Sequence, residues 1–472
     1  MGSLAGRHDV GERSPSFSSL SAAERARALA DAGTLRPWPQ RLPRGLWLGS
    51  GTLAGRKVVF AMTDGHERGG TLGFEEGRAL GRFVSEADAE AIVVGWDTGG
   101  VRVQEGPLAL AATSAFGVKL TEFSLRRGPV LAVVSGPRGC FGAPAVLAGA
   151  ADYVVLAGDA QWGLTGPKML GGVNPEGAVS ARARKRAALA EALVEDRAPS
   201  VRSALEELLG RSWSPPPPLA VLEKSSVTTE RLLRRLRRSK GPRSTGSLEA
   251  GRERDLLRHS FRGQWEPSGP SVRRPEAHAV WGKLGGRPCL GLLIGPAKNR
   301  EELGVEATWV ATRMLRLAAR EGDAGSERAP VVTSLFCRSH ASTADEERAG
   351  LPVALGSVLR SYCALRVLGH PLLCILGGGV YGAAYLCFAA PSHRIVALRG
   401  TTVAPMAPRL LEAFEKLRRL GPRRRAETDL PGVRIVDHPV RLPRILAEEL
   451  EAARRAAAAP ATGNHRFGGE AG

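Results

Sequence analysis

Aromatic side chains are scarce in this chain of 472 residues, at 5%. Single-stranded nucleic acid is usually gripped by stacking on such rings. The sequence also lacks a zinc-finger spacing, an RRM signature and a Walker loop. Nucleic acid is therefore not the expected partner, although 66 Lys and Arg against 47 Asp and Glu leave a formal net charge of +19. The shortage of acids favours anionic partners, and coenzyme A phosphates or an acidic carrier protein meet that charge equally well. Cysteine is sparse too. The six, Cys140, Cys289, Cys337, Cys363, Cys374 and Cys387, form no C-x-x-C pair. That argues against a zinc ribbon and fits reduced thiols in a cytoplasmic protein with no metal site. Met1 to Gly6 contains no apolar signal core and no Ser or Thr at the myristoylation position. One long uncharged run exists, Pro371 to Ala390, but Gly377-Gly378-Gly379 interrupts it. It reads as a buried strand, a tight glycine turn and a buried helix, and no membrane association is expected.

What the chain does contain is 58 Gly, 32 Pro and 43% hydrophobic residues. This suits a loop-rich α/β protein with two cores of about 200 residues each. Residues 1–45 read as a polar lead-in with one helix from Ala22 to Ala32, capped by Ser21. Residues 46–179 carry short apolar runs that read as buried strands: Lys57 to Ala61, Ala91 to Gly95 and Val130 to Val134. Residues 180–279 read as a basic Pro/Ser/Arg-rich linker with helical pieces, including the charge run Arg231 to Lys240. The α/β pattern returns over 280–452, and 453–472 read as a flexible tail.

An internal repeat supports two like domains. Pro129 to Ala143 is an apolar strand, a glycine turn through Gly139-Cys140-Phe141-Gly142, and a small-residue helix. Pro371 to Ala383 repeats that order, with its turn ending at Gly382-Ala383. A second apolar run follows each at the same distance, Asp152 to Leu156 and Ser392 to Val396. Such a turn exposes backbone N–H groups at a helix N-terminus, where they can hold a developing oxyanion. Glycine lets a substrate approach the backbone closely. The competing reading of one such turn is an ordinary α/β connection; two in equivalent places favour a site.

The motifs around the first turn sharpen this. Trp96-Asp97-Thr98-Gly99-Gly100-Val101-Arg102-Val103-Gln104-Glu105 resembles the D-T-G-G-V-R-L-Q-E signature of the β subunit of biotin-independent malonate decarboxylase. Gly69-Gly70-Thr71-Leu72-Gly73 resembles its G-G-S-F-G segment. Arg138 to Gly142 and Trp162-Gly163-Leu164-Thr165-Gly166-Pro167 resemble its G-C-F-G turn and G-L-S-G-P loop. The second half is similar to the γ subunit through Arg366-Val367-Leu368-Gly369-His370-Pro371 and Tyr381-Gly382-Ala383-Ala384-Tyr385-Leu386. It departs from that subunit at Phe336 to Ser342 and at Val403 to Pro408. The resemblance implies a β–γ fusion of two tandem crotonase-like, carboxyltransferase-type domains.

It also implies an activity: decarboxylation of a malonyl thioester on an acyl carrier protein, giving the acetyl thioester and carbon dioxide. The substrate would hang on a phosphopantetheine or dephospho-coenzyme-A-type arm, with no cofactor bound directly, and no biotin-attachment A-M-K-M segment occurs. Carrier protein and other decarboxylase subunits are the implied partners, with homo-oligomerisation possible. The residues expected to carry catalysis are Gly139, Cys140, Phe141, Gly142, Gly382 and Ala383, with the thioester oxygen on the N–H groups around Phe141 and Gly142. Those expected to bind substrate are Gly69, Gly70, Gly99, Gly100, Arg102, Gln104, Gly163, Thr165 and Gly166. Arg102 either neutralises a substrate carboxylate or pairs with Glu105. Asp97 is as well explained as a structural cap, Cys140 as a buried filler, and His340 as a structural histidine. Two alternatives remain: a carboxyltransferase subunit of a biotin-dependent acyl-CoA carboxylase or decarboxylase, and a degenerate scaffold that binds carrier protein without turnover.

Overall fold

The computed structural model describes residues 15–240, 265–274, 277–284, 287–295, 302–321, 328–337, 339–408, 410–412, 430, 432–437 and 441–459. Its strands fall into two sets. The first comprises β1 (Arg36–Pro37), β2 (Leu46–Leu53), β3 (Arg56–Thr63), β4 (Ala91–Trp96), β5 (Val130–Val134), β6 (Cys140–Phe141), β7 (Tyr153–Ala157), β8 (Trp162–Gly163) and β9 (Ala192–Val194). The second comprises β10 (Trp265–Arg274), β11 (Ala277–Leu284), β12 (Arg287–Ile294), β13 (Glu302–Leu303), β14 (Val331–Leu335), β15 (Ser339–His340), β16 (Leu372–Leu376), β17 (Gly379–Tyr381), β18 (Arg394–Leu398), β19 (Thr402–Ala404) and β20 (Val433–Val436).

Two seven-stranded sheets result, ordered β1-β2-β3-β4-β5-β7-β9 and β10-β11-β12-β14-β16-β18-β20. In each, the first three strands pair antiparallel and the rest parallel. The small pairs β6–β8 and β17–β19 occupy the same place in the two halves. The sequence repeat is thus a structural repeat, and the fold is the tandem crotonase-like α/β architecture that the sequence led us to expect.

Strand alternation explains the layers. In β3, Val58, Phe60 and Met62 face one cluster with Ala26 and Leu29 of α1 (Ala22–Leu29) and Val201 and Leu205 of α7 (Ala198–Gly210). Val59 and Ala61 face the opposite side, as a period of two requires. That opposite side is one continuous core running from the first sheet to Leu290, Leu292 and Val331 of the second. It is filled by α2 (Phe74–Glu86), α3 (Gly106–Arg126), α4 (Ala143–Ala150), α8 (Pro218–Lys240), α9 (Val305–Glu321) and α11 (Leu351–Val367), the last following α10 (Ala344–Ala349). Helix α12 (Leu442–Ala458) covers the far face of the second sheet. The halves are therefore welded through buried apolar surface. Helices α4 and α11 meet backbone to backbone: a Cβ on Gly149 would lie 2.6 Å from Pro352 O.

Several boundaries differ from expectation. The lead-in contributes α1, shortened to Leu29 and started by a Ser21–Glu24 capping box. Its Arg25 is buried and pairs with Asp97 at 3.1 Å. The stretch 180–279 is not merely a linker. It supplies α5's continuation α6 (Ala181–Arg186) after α5 (Pro175–Val179), then edge strand β9, then α7 and α8. Its arginines disguise these elements, because each helix buries only a stripe. The run 371–390 forms β16, β17 and then a buried π-helical turn, Tyr385–Ala389. Helix α12 extends into the expected tail and buries Ala453. Among the described residues, no helix is long and apolar enough to cross a membrane.

Candidate functional site

The first glycine turn lies at the C-terminal ends of β4 and β5, where parallel strands leave loops free. Three segments converge there: residues 69–73, 97–102 and 139–143. Gly99 N–H donates to Gly69 O at 2.9 Å, and Leu72 and Val101 form a parallel bridge. Gly70 touches the Asp97 carbonyl so closely that a Cβ would sit 1.9 Å from it. Gly139 is as tight, 2.3 Å from Gln161 O. Asp97 ties the floor together. Its carboxylate accepts from Arg25 Nη2, Gly65 N–H and Arg138 N–H at 3.1, 3.1 and 2.9 Å. Asp64, His66 and Asp97 bring ligand-type atoms within 4.8 Å of one another. With Arg25 on Asp97 and Ala22 N–H on Asp64, this cluster is a hydrogen-bonded knot.

The donors expected around Phe141 and Gly142 are already used. Phe141 N–H donates to Thr98 O at 3.2 Å and Gly142 N–H to Leu164 O at 3.0 Å, while Cys140 N–H donates to Gln161 O. Among the described residues, two neighbouring N–H groups have no such partner, those of Val101 and Ala143. Ala143 is the first residue of α4, and Pro144 after it carries no N–H. The two backbones approach here: a Cβ built on Gly142 would be 3.5 Å from Gly100 Cα and 3.9 Å from Val101 N. The donors left over beside this contact are therefore Val101 and Ala143, one residue beyond each glycine motif. Gly100 and Gly142 have φ of 109° and 65°, a region that only glycine enters cheaply.

Other expected binders take different places. Arg102 is held by Glu76 and Glu105 at 2.6 and 2.5 Å and also donates to Thr71 O. Burial opposes ionisation of Glu105, yet the Phe74 N–H and Arg102 keep its carboxyl below the usual range. Arg102 is thus a clamp, spent on two carboxylates instead of one from a substrate. Gln104 is exposed in a short turn. Cys140 is fully buried; burial first, then Asp97, pushes its thiol well up, so it is a filler and not a nucleophile. Gly163 ends β8, and Thr165 and Gly166 follow on the loop after it.

That loop meets the second half. Glu347, buried on α10, accepts from Leu164 and Thr165 N–H at 2.8 and 3.1 Å. Its other oxygen meets the buried Arg184 at 2.6 Å. Burial pushes the Glu347 carboxyl up, while Arg184 and the two N–H groups oppose that. Since Leu164 O accepts from Gly142, this carboxylate positions the turn from the other half. Thr165 Oγ1 lies 2.9 Å from His340 Nε2, and burial pulls that imidazole down to about 4. In register His340 stands in the second half where Val101 stands in the first: Ala341 N–H donates to Leu303 O as Arg102 N–H donates to Leu72 O. Gly382 N–H likewise donates to Ala404 O, and the adjacent Ala383 N–H has no partner among the described residues. Sequence reasoning missed Val101, Ala143, Arg184 and Glu347. Only the first two had a signal, as the residues just after paired glycines.

The comparisons with known proteins can be set against this geometry. No family model matches the sequence. The acetyl-coenzyme A carboxylase carboxyl transferase subunit beta of Rubrobacter xylanophilus is 27% identical over 221 residues, 40% of this chain and 85% of that protein. The malonyl-S-ACP:biotin-protein carboxyltransferase of Malonomonas rubra is 26% identical over 192 residues, 33% of this chain. The chain is related to carboxyltransferases. It spans 59% of the length of the Malonomonas relative. A Pseudomonas malonate decarboxylase hetero-tetramer solved with malonate contains a chain 29% identical, with a TM-score of 0.38, covering 41% of this carboxyltransferase-related chain and 83% of its own.

Proposed function

We propose that this chain decarboxylates a malonyl thioester carried on an acyl carrier protein. The observation that carries the reading is the pair of N–H groups, Val101 and Ala143, that have no partner among the described residues and lie where two glycine segments touch. The thioester oxygen sits on that pair. The bond between the α-carbon and the carboxylate breaks, carbon dioxide leaves, and the electron pair delocalises onto the held oxygen as an enolate. A solvent proton then adds to the α-carbon, giving the acetyl thioester. One preorganised donor is worth about 2.7–4 kcal/mol at such an oxyanion. The relatives named for malonyl and acetyl thioester chemistry support the substrate class, and a partner subunit or further copy of the chain accords with the hetero-tetrameric neighbour.

A second reading has its own support in the Ala383 N–H, the matching free donor of the second half. Two donors in like positions suit transfer of the carboxyl group between a thioester and a biotin ring, and both named relatives are carboxyltransferases. The deciding experiment incubates the purified chain with malonyl-loaded carrier protein and free biotin, with and without excess avidin. Formation of acetyl carrier unaffected by avidin is the expected result. Turnover abolished by avidin establishes the carboxyltransferase instead.

A further inference from the structure

Helix α8 divides its surface sharply. Leu222, Thr229, Leu232, Leu233 and Leu236 are buried against the helices between the sheets. The opposite stripe is Val227, Arg231, Arg234 and Arg238, at the i, i+4, i+7 and i+11 spacing of one helix face. All four are exposed, Val227 by 55%. With Arg235 they line a shallow groove of about 400 Å³.

The arginines of this groove differ from their neighbours. Arg237 on the same helix pairs with Glu306, and Arg316 and Arg320 share Glu223. Within the groove only Arg234 finds a carboxylate, an exposed contact to Glu230 at 3.2 Å. Arg231 and Arg238 make no ion pair among the described residues. Arg235 donates one Nη to Ala187 O at 2.7 Å, while its Nη1 is buried without a partner. Burial, then the charges of Arg231 and Arg184, pull that guanidinium down. Among the described residues, the groove is thus a line of like charges with a single exposed counter-charge, Glu230.

We propose that this arginine face of α8 is the docking surface for an acidic helix of the carrier protein that presents the thioester. The proposal rests on the carrier-bound substrate argued above. The stripe spans eleven residue steps, about 16 Å at 1.5 Å per step, too long for one phosphate group but matched to three turns of a partner helix. Guanidinium forks bind carboxylates in a bidentate manner, and Val227 offers an apolar contact at one end. The groove is connected to the glycine turn by a relay: Arg235 holds Ala187 after α6, α6 carries Arg184, and Arg184 holds Glu347, which fixes Leu164.

The test is the triple substitution Arg231→Gln, Arg234→Gln and Arg238→Gln, all at exposed positions. Direct binding of malonyl-loaded acyl carrier protein, read by fluorescence anisotropy, decides the docking whether or not the chain turns over. Weakening of roughly ten-fold or more, with a flattened salt dependence, is expected. In parallel, KM for free malonyl-pantetheine should be unchanged in the variant. Unchanged carrier binding overturns the proposal and makes the stripe a solvated face. An equal loss on free malonyl-pantetheine also overturns it, because the groove would then hold the thioester's own arm. Loss of retention on anionic vesicles or nucleic acid, with carrier binding intact, overturns it in favour of another anionic partner. Failure of the wild type to turn over free malonyl-pantetheine counts against the decarboxylase reading alone.

Discussion

Replacing Gly142 by valine tests the donor pair most directly. Gly142 has φ 65° and ψ −141°, a combination that costs a residue with a side chain about 1–3 kcal/mol. The added Cβ meets only Gly100 Cα at 3.5 Å and Val101 N at 3.9 Å. The variant therefore folds, at that cost in stability. Its γ-carbons, however, extend beyond that Cβ beside Gly100 and Val101 and are expected to crowd the Val101 and Ala143 N–H groups. Losing one donor costs about 2.7–4 kcal/mol, or roughly 10²–10³ in kcat. Carbon dioxide release from malonyl-loaded carrier measures the effect, with circular dichroism and thermal unfolding to establish that the variant is folded. Ala143→Pro makes the same point by deleting the N–H at a helix position that tolerates proline, and should fall in the same range. Gly382→Val is a poorer comparison, since a Cβ there lies 2.8 Å from Pro405 O and the backbone must move. A folded Gly142→Val variant with wild-type kcat would refute the oxyanion assignment, and a binding scaffold without turnover would then be the better reading.

Two further outcomes follow from the interface between the halves. Glu347→Leu leaves the buried Arg184 uncompensated and should cost about 3–5 kcal/mol, whereas adding Arg184→Met should recover much of it; equal losses in single and double variants, measured by urea unfolding, would show that the pair does not couple. His340 is held near 4 against an ordinary value of 6.5, so the unfolded chain binds the proton more readily between those values. Its contribution is complete above about 6.5 and is lost as the pH falls toward 4, up to about 3 kcal/mol. His340→Gln should flatten the acid limb of a stability–pH curve, and an unaltered limb would place the acid sensitivity elsewhere.

Much of the architecture is legible in the residues. The strands at Val58, Ile92 and Val130 are short apolar runs between turns, and Ser21 with Glu24 spells a capping box. The repeat of strand, glycine turn and small-residue helix foretold two sheets of one order, because local pattern and period decide such elements. Basic α8 was harder to see, since a helix that buries one stripe under many arginines resembles a charged linker by composition.

The sequence by itself determined where the glycine turns lie and that they would expose backbone donors. It did not determine which donors. That depends on which N–H groups the pairings of β6 with β8 and of Leu72 with Val101 consume, and pairing partners distant in the chain leave no periodic trace. The same reason hides Arg25 on Asp97, His340 on Thr165 and Arg184 on Glu347, separated by 72, 175 and 163 residues. Only the packing of one half against the other turns an isolated glutamate on α10 into the group that fixes the first turn.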